Sequence, residues 1–109
     1  MSEINPNNAI TFIIRHSELF AKAKAERVYL EQYRKSKKAI LFAKSEAKTM
    51  AEREAEAYAH PEYIELLKGL QEAVEIEETL RFKIEAAKLR VEVYRTMEAS
   101  NRRIDNATR

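Results

Sequence analysis

The residues best suited to acid–base chemistry in this sequence are its two histidines, His16 and His60. His60 lies close to Glu56 and Glu62 along the chain, and a histidine beside a carboxylate can move a proton in a catalytic site. His60 also precedes Pro61, and a role in capping a helix or turning the chain explains it better. Neither histidine has a second His, Asp or Cys at the spacing of metal ligands. We therefore expect no enzyme activity, no bound metal and no cofactor.

The composition removes other kinds of catalytic and binding site. The chain has no cysteine, which excludes disulfides, thiolate zinc sites and thiol catalysis. Gly69 is its single glycine, so a glycine-rich loop that cradles a phosphate is excluded as well. Long helices offer no deep pocket, and we expect no small-molecule substrate.

Basic side chains could do a different chemistry, because clustered Lys and Arg bind the phosphates of nucleic acids. The net charge is +6 over residues 15–48, −7 over residues 49–78 and +4 over residues 79–109, although the whole chain carries only +2. Five cations of the first segment fall within one arc of a helix at about 100° per residue. With three from the last segment, they are the predicted nucleic-acid contacts: Lys24, Arg27, Arg34, Lys35, Lys38, Arg95, Arg102 and Arg103.

A solvated helix face is the alternative interpretation of these charges. Glu31 lies four residues before Lys35, and Glu26 lies four residues after Lys22, so ion pairs within the helix could neutralise part of the face. The acidic segment has two interpretations as well. It could dock a basic partner surface, or it could complement the positive N-terminal end of a helix.

The composition as a whole is that of long helices. One glycine and two prolines leave almost no turns for a β or an α/β domain. Ala, Glu, Lys, Arg and Leu dominate, as they do in coiled coils and long helices. We therefore predict a single all-α domain over residues 1–109.

The prolines and asparagines predict where the helices begin and end. Asn5 can cap a helix whose first residue is Pro6, although Asn7 or Asn8 could be the cap instead. Pro61 disfavours helical backbone in the residue before it, so it ends one helix and opens the next. The predicted elements are a helix over about residues 7–58, a turn at 59–61, a helix over about 62–101 and a frayed tail at 102–109.

Apolar residues recur at alternating steps of three and four along both helices, which is the pattern of a coiled-coil seam. In the first helix the predicted seam is Tyr29, Tyr33, Ser36, Ile40, Ala43, Ala47, Met50, Glu54 and Ala57. In the second it is Tyr63, Leu66, Leu70, Ala73, Glu77, Leu80, Ile84, Ala87, Val91 and Tyr94. A tight turn would pack one seam against the other as an antiparallel, coiled-coil-like helical hairpin. The seam tyrosines could stack on bases, but their positions favour the core.

Two features leave the continuity of the first helix open. Thr49 and Glu52 have the spacing of a capping box, so the helix could break near Lys48. The apolar residues of the N-terminal segment also lie on a face offset from the later seam. That offset favours a kink or a separate short helix near His16 and Ser17.

The second helix has more apolar surface than one partner helix can cover. Phe82, Ala86, Leu89 and Val93 form a second stripe beside the seam, and a helix that is apolar on two sides is buried on two sides. Either the N-terminal segment or a second copy of the chain would cover this stripe. We predict a homodimer that forms a four-helix bundle, with these four residues at the interface.

The sequence gives no sign of a membrane protein. No apolar run approaches the roughly 18 residues of a membrane span, and the N-terminal residues lack the basic and apolar pattern of a signal peptide. Charged residues make up 35% of the chain, so much of its surface faces water. We expect a soluble protein of the cytoplasm with no membrane partner.

The C-terminal part of the chain carries a family resemblance. Its motifs are Ala-Glu-Arg-Glu-Ala at 51–55, Tyr-Ala-His-Pro-Glu-Tyr at 58–63, the Ala pair at 86–87 and Val-Glu-Val-Tyr-Arg-Thr-Met-Glu-Ala-Ser-Asn-Arg at 91–102. Over roughly residues 30–109 the chain resembles small helical proteins encoded by tailed bacteriophages. In many of those proteins Trp stands at the place of Tyr94. The resemblance implies a phage accessory protein encoded near replication and recombination genes, in the cytoplasm of the host cell, and it implies no known activity.

Together these patterns favour an interaction protein without catalysis. The leading hypothesis is an accessory factor of phage DNA metabolism that binds DNA or a recombination protein. The alternative is a protein–protein adaptor or inhibitor that binds no nucleic acid and uses the acidic segment or the apolar stripe. Salt separates the two, because phosphate contacts weaken steeply with salt whereas an apolar docking face does not.

Overall fold

The computed structural model describes residues 5–108, and this part of the chain consists of three α-helices with short connections. α1 spans Pro6–Lys44, α2 spans Met50–Ala59 and α3 spans Pro61–Thr108. No strand occurs between residues 5 and 108. The predicted all-α class is therefore confirmed, but three helices stand where two were predicted.

α1 begins where the sequence predicts. Oδ1 of Asn5 accepts hydrogen bonds from the backbone N–H groups of Asn7 and Asn8, at 3.0 and 3.3 Å. Pro6 occupies the first helical position, where its missing N–H leaves no hydrogen bond unmade. The helix then continues without a break through His16, so no separate short helix forms there.

The helix predicted over residues 7–58 is not continuous, and this prediction is wrong. α1 ends at Lys44, and α2 begins at Met50. Thr49 is the N-cap of α2, since its Oγ1 accepts a hydrogen bond from the backbone N–H of Glu52 at 3.1 Å. A helix N-terminus has N–H groups without partners inside the helix, and the Thr49 hydroxyl satisfies one of them. The alternative break near Lys48 is therefore the one that occurs.

Side-chain hydrogen bonds hold the connection between α1 and α2. Oγ of Ser45 accepts a hydrogen bond from the backbone N–H of Ala47 at 3.2 Å, and it donates one to the carboxylate of Glu56. Nε of Arg53 donates to the carbonyl of Ala47 at 2.8 Å. The backbone N–H and carbonyl of Ala47, which lie outside both helices, are therefore both hydrogen-bonded to side chains.

α2 and α3 are separated by one residue, His60, in agreement with the turn predicted at 59–61. The backbone of His60 is extended, with φ −65° and ψ 136°, which is the conformation that a following proline favours. Nδ1 of His60 accepts a hydrogen bond from the backbone N–H of Glu62 at 3.1 Å. His60 therefore ends one helix and caps the next.

The C-terminal tail does not fray where the sequence predicted it would. α3 continues to Thr108, so residues 102–108 are helical, and Arg109 lies outside the described residues. Nε of Arg102 contacts the carbonyl of Glu98 at 3.5 Å. No glycine or proline occurs after Gly69 to end the helix.

Residues 21–78 form one compact unit that contains the end of α1, all of α2 and the beginning of α3. Its core is the cluster of Leu41, Ala57 and Tyr63, with Phe42 packed against it. One residue from each of the three helices thus contributes to this core.

α1 and α3 run antiparallel within this unit. Arg27 pairs with Glu77, and Lys37, ten residues further along α1, pairs with Glu62, fifteen residues earlier in α3. The predicted hairpin also has its two helices antiparallel, so the structure agrees with it within residues 21–78.

The two predicted seams differ in outcome. The seam of α3 is confirmed, because all ten residues are buried or half-buried: Tyr63, Leu66, Leu70, Ala73, Glu77, Leu80, Ile84, Ala87, Val91 and Tyr94. The seam of the first helix is wrong, since Tyr29, Ser36 and Ile40 are exposed. The covered positions of α1 lie one residue further on, at Ala23, Arg27, Leu30, Arg34, Lys37 and Leu41. Three of these six are cations, which is why a search for apolar residues favours the wrong register.

The second compact unit comprises the beginning of α1 up to Phe20 and α3 from Thr79 onward. Its buried side chains are Ala9, Ile84 and Ala87. Two of the three are alanines, and small side chains allow helix backbones to approach closely.

Candidate interaction surfaces

Arg27, one of the predicted nucleic-acid contacts, lies in the seam of α1 and forms an ion pair with Glu77 of α3. The guanidinium of Arg27 donates from Nε and Nη2 to the two carboxylate oxygens of Glu77, with 3.1 Å between Nη2 and Oε1. Its Nη1 donates to Glu31 at 3.0 Å. These hydrogen bonds, first of all the one to Glu77, raise the pKa of Arg27. Glu77 is only 6% exposed, so Arg27 neutralises a buried carboxylate and does not face away from the core.

Lys38 is half-buried, and side chains of α2 bind its ammonium group. Nζ of Lys38 donates to Glu54 of α2 at 2.9 Å and lies 4.3 Å from the centre of the Tyr58 ring. A hydrogen bond with Tyr58 and a second with Glu54 raise the pKa of Lys38. The neighbouring Lys37 binds Glu62 at 3.1 Å and lowers the pKa of that carboxyl group. Two cations of the predicted arc, Arg27 and Lys38, therefore form ion pairs between helices.

The other predicted cations of α1 differ in exposure. Lys24 and Lys35 are exposed, whereas Arg34 is half-buried in the seam. None of the three makes an ion pair within residues 5–108. Only two of the five predicted cations of α1, Lys24 and Lys35, are thus both exposed and without an ion pair within residues 5–108, so the predicted basic face is much weaker than expected.

The predicted cations of α3 belong to the second unit and remain exposed. Arg95 pairs with Glu92 at 3.3 Å, but its side chain is 71% exposed. Arg102 and Arg103 are exposed, and neither has a carboxylate partner in the part of the chain that the structure describes. These three arginines are therefore exposed to solvent, as Lys24 and Lys35 are on α1.

The apolar stripe of α3 is exposed and longer than the sequence predicted. Phe82 is 59% exposed, Leu89 64% and Val93 46%, and Ala86 is exposed between them. The stripe continues beyond the predicted residues to Met97 and Ile104, which are also exposed. Met97 lies four residues after Val93, and Ile104 lies seven residues after Met97. This helical spacing is the signal that could have found them. We call these six residues the outer stripe: Phe82, Ala86, Leu89, Val93, Met97 and Ile104.

Tyr29 and Tyr33 form an aromatic pair on α1, in which Tyr29 is exposed and Tyr33 is half-buried. The rings of Tyr29 and Tyr33 are stacked, with 5.9 Å between their centroids. Tyr29 is 62% exposed, so its predicted place in the core is wrong, while Tyr63 is buried as predicted.

The two histidines both have structural roles. Nδ1 of His16 donates to the carbonyl of Phe12 at 2.9 Å, and the two rings are stacked. His60 caps α3 and borders an open groove of about 440 Å³ beside Leu41 and Glu56. Across residues 5–108, no three His, Cys, Asp or Glu side chains come together in a way that could hold a metal ion.

Neither the hydropathy of the described helices nor the comparison with known proteins assigns a function to the chain. None of the helices within residues 5–108 has a stretch that is long and apolar enough to cross a membrane. Comparison of the chain with protein-family models, with characterised proteins and with solved structures gives no match. The resemblance to small phage proteins therefore stays a prediction from the sequence.

Proposed function

We propose that this chain is a non-catalytic interaction protein that self-associates through the outer stripe of α3. The observation that carries the proposal is the exposure of five large apolar side chains on one side of a single helix. Contiguous exposed apolar patches mark sites of protein association, whereas single exposed residues do not. The opposite side of the same helix is already used, because the seam of α3 is covered along its length.

Self-association would bury the outer stripe and give α3 a partner on both sides. The resulting assembly would be a homodimer to which each chain contributes α1 and α3, as the sequence suggested, with the two α3 helices in contact at its centre. Phe82, Leu89 and Val93 would form the centre of the interface. Met97 and Ile104 would extend it toward the C-terminal end of the helix.

Sedimentation equilibrium of the purified chain, from low to high micromolar concentration, tests this proposal. We expect the wild type to form dimers and Leu89→Glu to shift the equilibrium toward monomers by at least tenfold. Ile76→Glu is the matched control, because Ile76 is a comparably exposed apolar residue of α3 that is not part of the outer stripe. A monomeric wild type, or equal effects of the two substitutions, would reject the proposal.

Phosphate binding by the C-terminal arginines is the second candidate function. It is supported by the exposure of Arg95, Arg102 and Arg103, the last two without a carboxylate partner within residues 5–108. Phosphate binding of this kind would suit the predicted accessory protein of phage DNA metabolism, and DNA would be its partner. Contacts to phosphates alone give binding that is indifferent to sequence and steeply dependent on salt.

A titration of labelled single- and double-stranded DNA at low salt tests this second candidate. Binding should weaken with salt at a log–log slope of about −0.9 per phosphate contacted on duplex DNA. Arg102→Glu/Arg103→Glu should abolish it, whereas Lys44→Glu/Lys48→Glu, which reverses two other exposed cations, should reduce it much less. A flat titration with both forms of DNA would leave only the protein-association function.

A further inference from the structure

The charges that border the outer stripe have opposite signs on its two sides. At 100° per residue, Lys83 and Arg90 lie about 60–80° from the centre of the stripe on one side. Glu85 and Glu92 lie about 80–100° from it on the other side. Each pair is separated by seven residues, or two helical turns, so one flank is basic and the other is acidic over the same stretch of helix.

The two flanks also differ in the partners they have within the chain. Glu85 pairs with Arg81 at 2.9 Å, and Glu92 pairs with Arg95 at 3.3 Å. Lys83 and Arg90 make no ion pair anywhere in residues 5–108, and both are exposed. A carboxylate has two oxygens and can accept hydrogen bonds from a second cation. The basic flank therefore lacks an acidic partner, and the acidic flank can still accept one.

The signs of the flanks distinguish the two ways in which α3 of one copy can face α3 of another. When the two helices are parallel, each flank of one copy meets the opposite flank of its partner, so basic meets acidic on both sides. When they are antiparallel, basic meets basic on one side and acidic meets acidic on the other. Like charges placed together across an interface cost free energy and suppress that arrangement.

We propose that the outer stripe is covered by a second copy of this chain whose α3 runs parallel to the first. This inference rests on the self-association proposed above and adds its orientation. In the parallel pair, the carboxylate of Glu85 faces the guanidinium of Arg90 in the other copy, five residues further along the helix. The parallel pair also brings Arg102 and Arg103 of both copies to the same end of the interface.

Disulfide cross-linking tests the orientation directly, because the chain has no cysteine of its own. Two variants, Phe82→Cys and Val93→Cys, each place one thiol in the outer stripe. A disulfide requires Cα atoms about 4.4–6.8 Å apart, whereas eleven residues separate the two positions by about 16 Å along the helix. In a parallel pair each residue of the stripe faces its own copy, so both variants should form disulfide-linked dimers on mild oxidation.

A mixture of the two variants, one enlarged by a fused tag, completes the experiment. The parallel arrangement predicts the two self-linked products and almost none of the mixed product. An antiparallel arrangement allows at most one of the variants to link to itself, and a dominant mixed product would overturn the inference. Lys88→Cys, an exposed position outside the stripe, should remain unlinked.

Failure of the orientation and failure of self-association give different results. A wild type that sediments as a monomer at all concentrations would reject self-association and the inference with it. A wild-type dimer in which neither variant links to itself would retain self-association and reject the parallel pairing. Circular dichroism of each variant would verify that its helices are intact.

Discussion

Replacing Arg27 with Met should destabilise the protein more than replacing Glu77 with Gln, although both changes break the same ion pair. The two partners differ in their access to water. Glu77 is 6% exposed, whereas the Arg27 side chain is 23% exposed and keeps a second partner, Glu31, at 3.0 Å. A charge that stays buried after its partner is removed is destabilising, while one that can reach water is much less so.

The magnitude follows from which charge is left behind. Arg27→Met removes both guanidinium hydrogen bonds from the buried Glu77 carboxylate, so we expect it to cause the larger loss in the free energy of unfolding. Glu77→Gln leaves the guanidinium with Glu31 and with solvent, so the loss should be smaller. The double variant Arg27→Met/Glu77→Leu leaves no charge buried, and apolar packing of similar volume should bring its stability close to that of the wild type.

Urea unfolding followed by the helical circular dichroism signal measures all four proteins. The protein concentration must be the same throughout, since self-association makes the apparent stability concentration-dependent. The order expected is wild type near the double variant, then Glu77→Gln, then Arg27→Met. Equal losses in the two single variants, or a double variant no more stable than Arg27→Met, would refute the reasoning.

Two further predictions concern Thr49 and Lys37. Thr49→Ala should cost about 1 kcal/mol, because it removes the N-cap of α2, and Thr49→Ser should not. Faster hydrogen exchange at the amide of Glu52 would show the loss, and an unchanged rate would contradict it. Lys37 lowers the pKa of Glu62 through a hydrogen bond and its charge, so the stabilisation is present above the unfolded pKa and is lost as pH falls through the folded pKa. Lys37→Met should lower stability at neutral pH and flatten its decline in acid, and identical acid profiles of the two proteins would argue against this.

The sequence predicts α3 better than α1, and the reason lies in the seam residues. In α3 the seam is nearly all apolar or tyrosine, with Glu77 as its only charged residue, so its periodicity indicates the buried face directly. In α1 the covered face includes Arg27, Arg34 and Lys37. The burial of Arg27 and Lys37 depends on Glu77 and Glu62 of α3, and a local count of apolar residues contains no information about such distant carboxylates.

Helix ends could be predicted where a side chain determines them locally. Asn5, Thr49 and His60 each accept a hydrogen bond from an N–H at the start of a helix, and capping residues of this kind can be recognised in sequence. The end of α3 could not be predicted in this way. No residue stops the helix after Asn101, and the expectation of fraying near a terminus came from a general tendency rather than from the residues themselves.

Whether a candidate surface could be predicted from the sequence also depends on whether its partners are local or distant in the chain. The outer stripe was predictable because its exposure follows from the periodicity of one helix, whose other face is the seam. The basic face of α1 was not, because intrachain carboxylates bind Arg27 and Lys38.

A cation in a helical protein therefore counts toward nucleic-acid binding only after its intrachain partners are known. By that criterion the DNA hypothesis depends chiefly on Lys24 and Lys35 of α1 and on the α3 arginines Arg102 and Arg103, which are exposed and have no carboxylate partner within residues 5–108. These arginines lie on the helix that carries the outer stripe, so a parallel dimer would bring two sets of them to one end, whereas an antiparallel dimer would separate them. The orientation of the dimer thus bears on both proposed functions, since it determines whether self-association concentrates the positive charge or disperses it.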